Sequence, residues 1–141
     1  MSKSISLQQS DANARAVVFW TPARFLLVGG SALIVLGFSG VLGISQSLSA
    51  ADLFNPPRWI NWLHLSVGTA AMLVAFRGQA SVQRVIAFVP AVLGSTLGIA
   101  GLALSLYAGP GKASDLSDHL AHLFVGAMAS WATWNAKSLV V

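Results

Sequence analysis

Four stretches of this chain contain no Asp, Glu, Lys or Arg: Phe25–Ile44, Trp59–Phe76, Val85–Tyr107 and His119–Asn135, of 20, 18, 23 and 17 residues. A helix on the surface of a water-soluble domain carries an apolar stripe and a polar face, whereas these runs are apolar all round. A bilayer core about 30 Å thick is crossed by about 20 helical residues. Lipid offers no partner to a free N–H or C=O, so a single apolar run of this length crosses it as a helix. The expected fold is therefore all-α, a polytopic bundle of four transmembrane helices near 25–44, 59–76, 85–107 and 116–135. The fourth run reaches bilayer length if its helix starts near Leu116. Composition agrees: 55% of residues are apolar and 9% charged, against about a quarter charged in ordinary soluble domains.

Residues 1–22 are polar at their start (Ser2-Lys3-Ser4, Gln8-Gln9-Ser10-Asp11) and read as a cytoplasmic tail ahead of a membrane domain over 23–141. The first apolar run is longer than the 7–15 residues usual in a signal peptide and starts late, so it is expected to be a retained span. With no cysteine, disulfides and thiolate metal sites are excluded. The net charge of +4 does not mark a nucleic-acid binder, because the basic residues are scattered and flank the runs. They orient the chain instead. With the N-terminus inside, Lys3, Arg15, Arg24, Arg77, Arg84 and Lys137 lie on the inner side, and only Arg58 and Lys112 on the outer. That asymmetry places both termini in the cytoplasm. Asp52, Asp115 and Asp118 then fall outside. Trp59 and Trp62 mark the outer interface, and Trp20, Trp131 and Trp134 the inner one.

The chain reads as a duplication. Leu36-Gly37-Phe38-Ser39-Gly40 in the first run matches Leu97-Gly98-Ile99-Ala100-Gly101 in the third. Ala51-Asp52-Leu53 matches Ser114-Asp115-Leu116. Asn61-Trp62-Leu63-His64-Leu65-Ser66-Val67-Gly68 matches His119-Leu120-Ala121-His122-Leu123-Phe124-Val125-Gly126. Two helical hairpins pointing the same way through the membrane form a parallel repeat. Small residues at i, i+4 bring helices close where lipid removes the hydrophobic drive. Such pairs are Gly94 with Gly98, Ser39 with Gly43, and Gly126 with Ser130, while Gly37, Gly40 and Gly101 extend the small faces. Spans one and three are expected near the centre, and Pro90 is expected to kink span three or mark a turn.

Asn61, His64, Asp115, Asp118, His119 and His122 gather in the outer half. Asp115, His119 and His122 are spaced i, i+4, i+7, and Asp118 with His122 i, i+4, so each set shares a helix face. A pseudo-two-fold axis would bring His64 and His122 together across spans two and four. Four readings follow. The imidazoles tie helices together by hydrogen bonds, as buried polar groups generally do. Alternatively His64 and His122 hold a tetrapyrrole, haem or chlorophyll. A third reading is a divalent metal on the histidines and aspartates, although acids at a helix start also complement its dipole and Ser114 or Ser117 could cap it. The fourth is a proton or ion relay, which lacks a deep acid. No HExxH, GxSxG or GxxxxGK motif points to catalysis.

The phrases N-x-x-H-x-x-x-G at Asn61–Gly68 and D-x-x-x-H-x-x-x-G at Asp118–Gly126, with the glycine-rich first and third spans, resemble the DUF4383 family of small bacterial four-helix membrane proteins. The resemblance covers about residues 25 to 135. It implies that architecture, no established activity, and Asn61, His64, Asp118 and His122 as the positions of interest. The expectation is a non-enzymatic accessory or structural subunit of a bacterial inner membrane, in contact with the lipid bilayer and with a membrane-protein partner or further copies of itself.

Overall fold

A computed structural model describes residues 20–44, 57–108 and 113–136, excluding the side chains of 108 and 113–115. Within these residues lie four helices: α1 (Pro22–Val41), α2 (Arg58–Arg77), α3 (Ala80–Ala108) and α4 (Ala113–Asn135). Each coincides with one charge-free run. The run ends mark where charge begins, whereas the helix ends are set by local capping. Pro22 supplies a pre-set φ at the start of α1, and Thr21 Oγ1 accepts from the Arg24 N–H at 3.3 Å. At the far end Leu42 N–H donates to Phe38 O, and Gly43 adopts φ 72° with its N–H 3.3 Å from Gly40 O. This is a left-handed helix stop of the kind glycine makes at no steric cost. Gly43 thus terminates α1 and is not the second half of a small-residue pair with Ser39.

Three helices, α1, α2 and α3, are long and apolar enough to cross a membrane. α4 has the length but not the same apolarity among its described residues, because Asp118, His119 and His122 occupy its first half. α3 runs unbroken through Pro90, so the proline does not mark a turn. The helix has 29 residues, about 43 Å at 1.5 Å per residue. That exceeds the apolar thickness of a bilayer, about 30 Å, by about two turns. Its ends accordingly carry Gln83 and Arg84 on one side and Tyr107, 93% exposed, on the other.

Large and small side chains are distributed opposite to a soluble core. Among the described residues no large side chain is fully buried, and Ala87, Ala129 and Ala132 have no exposure. Phe38, Phe76, Phe88, Ile99, Phe124 and many other large apolar groups are turned outward. In water so much apolar surface would drive association; in lipid it is the expected perimeter, with small residues letting backbones close up inside.

The helices pair as two hairpins, α1 with α2 and α3 with α4. Between the hairpins α1 and α3 meet, and each of these two touches all three other helices; α2 and α4 are the pair with the least contact. The expected central position of spans one and three is therefore observed. Cross-hairpin burial concentrates at one end of the bundle, where Phe25, Leu26, Ala75, Ala87, Ala91, Ala129 and Ala132 form the core. Trp20 Nε1 donates to Met128 O at 3.0 Å there, and its ring meets Phe25 edge to face. Trp20 is thus a link between hairpins, while Trp59, Trp62, Trp131 and Trp134 are exposed as interface residues would be.

At the same end Gln83 Nε2 donates to Val74 O, Ala75 O and Gly78 O at 3.3, 2.9 and 3.0 Å. Ala75 O belongs to the last turn of α2, where carbonyls lack an intrahelical N–H, while Val74 O also accepts from the Gly78 N–H at 2.8 Å. Gln83→Ala is expected to lower stability by about 1–2 kcal/mol, read as a lower midpoint of thermal unfolding in detergent followed by circular dichroism. An unchanged midpoint would show that the cap contributes nothing.

Candidate functional site

The seam of each hairpin is built by glycines meeting the neighbouring helix. A Cβ placed on Gly68 would lie 2.7 Å from Gly30 O, and one on Gly30 2.9 Å from Gly68 O, so the two chains touch there without side chains between them. The second hairpin makes the corresponding approach through Gly94 and Gly126: a Cβ on Gly94 would stand 2.8 Å from His122 O and 2.9 Å from Gly126 N. Higher up, a Cβ on Gly37 would meet Leu65 Cγ at 2.7 Å, and one on Gly98 would meet Leu123 Cγ at 2.5 Å. At the top, Gly40 is covered by the Asn61 side-chain amide and Gly101 by the His119 ring. All six glycines singled out in the sequence, Gly37, Gly40, Gly94, Gly98, Gly101 and Gly126, therefore sit on the two intra-hairpin seams. Ser130, the expected partner of Gly126, is exposed.

These contacts divide the polar residues into two kinds. Asn61 and His119 are packing elements, each lying flat on a glycine of the neighbouring helix. Asn61 is 4% exposed, and its Oδ1 has no hydrogen-bond partner. His64 and His122 lie one turn away on the flanks of α2 and α4. His64 shares its face with Ala71 and Ala75 at i+7 and i+11, and His122 shares its face with Ala129 and Thr133 at the same spacing. Ala75 and Ala129 belong to the buried core, while Ala71 lies against Gly30 of α1 within its own hairpin.

The two rings differ in their partners. His122 Nδ1 is 2.8 Å from Asp118 O and 3.7 Å from Asp118 Oδ1. The carbonyl can only accept, so Nδ1 is the donor in that contact and Nε2 is the nitrogen directed away from it. His64 Nδ1 is buried and has no partner. The sequence spacing of Asp118 and His122 is thus realised as a contact. His64 and His122 stand on α2 and α4, the helix pair with the least contact. α1 and α3, the helices richest in glycine, occupy the centre.

For a divalent metal, no three His, Asp or Glu side chains converge among the described residues. Asp115 belongs to the first turn of α4, and its side chain lies outside the described ones, as do Asp52 and the tail. Sequence reasoning missed Gln83 and Trp20 as structural donors. Gln83 sits just beyond a turn glycine and could have been suspected as a cap; nothing in the sequence points Trp20 at Met128.

No family model, no curated protein and no solved structure matches the chain.

Proposed function

We propose that the chain is a small integral membrane protein of four spans, with both termini on the cytoplasmic side of a bacterial inner membrane, acting without catalysis as an accessory or structural subunit. The observation that carries this reading is the use made of the outer polar residues. Asn61 and His119 are spent on closing helix seams over Gly40 and Gly101, within a bundle whose large side chains face outward. A residue occupied in that way is not offered to a substrate.

Duplication of one hairpin is part of the proposal. It is supported by contacts that recur at corresponding positions: Gly37 on Leu65 and Gly98 on Leu123, Gly40 under Asn61 and Gly101 under His119. The links between hairpins correspond too, with Gln83 at the start of α3 reaching α2, and Trp20 at the start of α1 reaching α4. Membership of the DUF4383 family rests on the two His-x-x-x-Gly phrases and is proposed with it.

The cysteine-free sequence makes orientation directly testable. Cysteine placed at Pro57 is expected to react with a membrane-impermeant maleimide on intact spheroplasts. Cysteine at Gln79 is expected to react only after permeabilisation. The reverse pattern would invert the topology.

A second reading, tetrapyrrole or metal binding through His64 and His122, is favoured by one feature. The Asp118 carbonyl anchors Nδ1 of His122 and leaves Nε2 able to act as a ligand, the arrangement by which helices commonly present histidine to iron or zinc. A single preparation separates the two readings. The structural one expects a colourless, metal-free protein. A Soret or Qy band lost in His64→Ala/His122→Ala, or a stoichiometric metal, would replace it with the second.

A further inference from the structure

The described cationic side chains are Arg24, Arg58, Arg77 and Arg84, and three of the four stand at the end of the bundle that holds the cross-hairpin core. Arg77 closes α2 and Arg84 lies in the second turn of α3. The residues just inside them, Gly78 and Gln83, are hydrogen-bonded to each other at 3.0 Å, which holds the two arginines on one turn. Arg24 is in the first turn of α1 at the same end. The described acid, Asp118, belongs to the opposite end, and no ion pair to Arg77 or Arg84 is found among the described residues.

Each arginine of the turn also has an apolar companion one helical turn deeper. Leu73 precedes Arg77 by four residues and is 55% exposed; Phe88 follows Arg84 by four and is 57% exposed. At i, i+4 both pairs share a face. Each face therefore presents a guanidinium at the water edge and a large apolar group beneath it. The planar guanidinium fork matches phosphate oxygens.

We infer that the Gly78 turn binds the phosphate headgroup of an anionic phospholipid through Arg77 and Arg84, with the acyl chains lying on Leu73 and Phe88. This inference rests on the membrane reading above. The full chain in mild detergent, given equal amounts of phosphatidylglycerol and phosphatidylcholine, is expected to retain phosphatidylglycerol preferentially, counted by native mass spectrometry. Each arginine near a charged lipid surface is worth about fivefold in affinity. Arg77→Gln therefore lowers the preference about fivefold, and Arg77→Gln/Arg84→Gln abolishes it. Arg58→Gln, at the other end, leaves it intact. Arg77→Lys/Arg84→Lys keeps the charge and part of the preference, which separates lost binding from lost folding. Equal retention of the two lipids, a preference that survives in the double glutamine variant, or an equal loss in Arg58→Gln would overturn the site. Vesicle flotation separates this from the premise. A chain that floats with both lipids but shows no preference in mass spectrometry loses only the headgroup site, whereas one that floats with neither loses the membrane reading itself.

Discussion

Gly126→Val is expected to force α3 and α4 apart and to abolish the native fold of the second hairpin. A Cβ on Gly126 would already lie 2.5 Å from Ser95 N and 2.9 Å from Gly94 C, backbone atoms that cannot rotate away. Overpacking a flexible core costs about 1–3 kcal/mol; against backbone, and with a β-branched side chain, the cost lies at or above that range. Loss of a monodisperse species in size-exclusion chromatography checks it. Gly68→Val is expected to do the same to α1 and α2, since a Cβ there meets Gly30 O at 2.7 Å. Gly29→Ala is the matched comparison. Nothing lies within 4 Å of a Cβ at Gly29, and alanine is favoured over glycine in a helix by about 1 kcal/mol. That variant should be as stable as the parent or more so. If Gly126→Val and Gly29→Ala behaved alike, the glycine seams would not be what holds the hairpins closed.

The second large effect is one of compensation. Gly101→Ala places a methyl group in the His119 ring, and Gly40→Ala places one in the Asn61 amide. Each single variant is expected to be destabilised by about 1–3 kcal/mol. Adding His119→Ala to the first, or Asn61→Ala to the second, removes the obstructing group and should restore most of the loss. Coupling energies between touching residues reach about 0.5–3 kcal/mol. The cross combinations, Gly101→Ala with Asn61→Ala and Gly40→Ala with His119→Ala, join residues of different seams and should be additive. Thermal midpoints of the singles and doubles in one detergent decide the matter. A histidine serving only as a ligand would show no such coupling to a glycine.

Much of the helical layout was legible because membrane spans are written in a simple code. Absence of charge over about 20 residues placed all four helices, and glycine spacing marked both seams. The misplacements have local causes. Gly43 carries the same composition signal as Gly37 and Gly40, but only its φ of 72° reveals a helix stop. α3 begins at Ala80, ahead of the charge-free run, because Gln83 and Arg84 are helical yet outside the apolar thickness. The pairing of His64 with His122 is a different case. Equivalent depth follows from the matching phrases, whereas lateral position depends on which helices occupy the centre. Asn61 and His119 matched in sequence position although one is an amide and the other an imidazole; what they share is a flat polar group able to lie on a glycine, a property of shape that residue names conceal.

The confinement of the Phe25, Leu26, Ala75, Ala87, Ala91, Ala129 and Ala132 core to one end bears on how the chain is made. Every partner that closes the first seam lies between Pro22 and Arg77, so that hairpin is complete as a unit while later residues are still on the ribosome. The contacts that close the second seam likewise lie within α3 and α4, and an alanine-lined contact joins the two hairpins. Gln83 stays beside Gly78 as a built-in tether. A chain nicked between Gly78 and Gln79 therefore retains the means to reassemble from its halves.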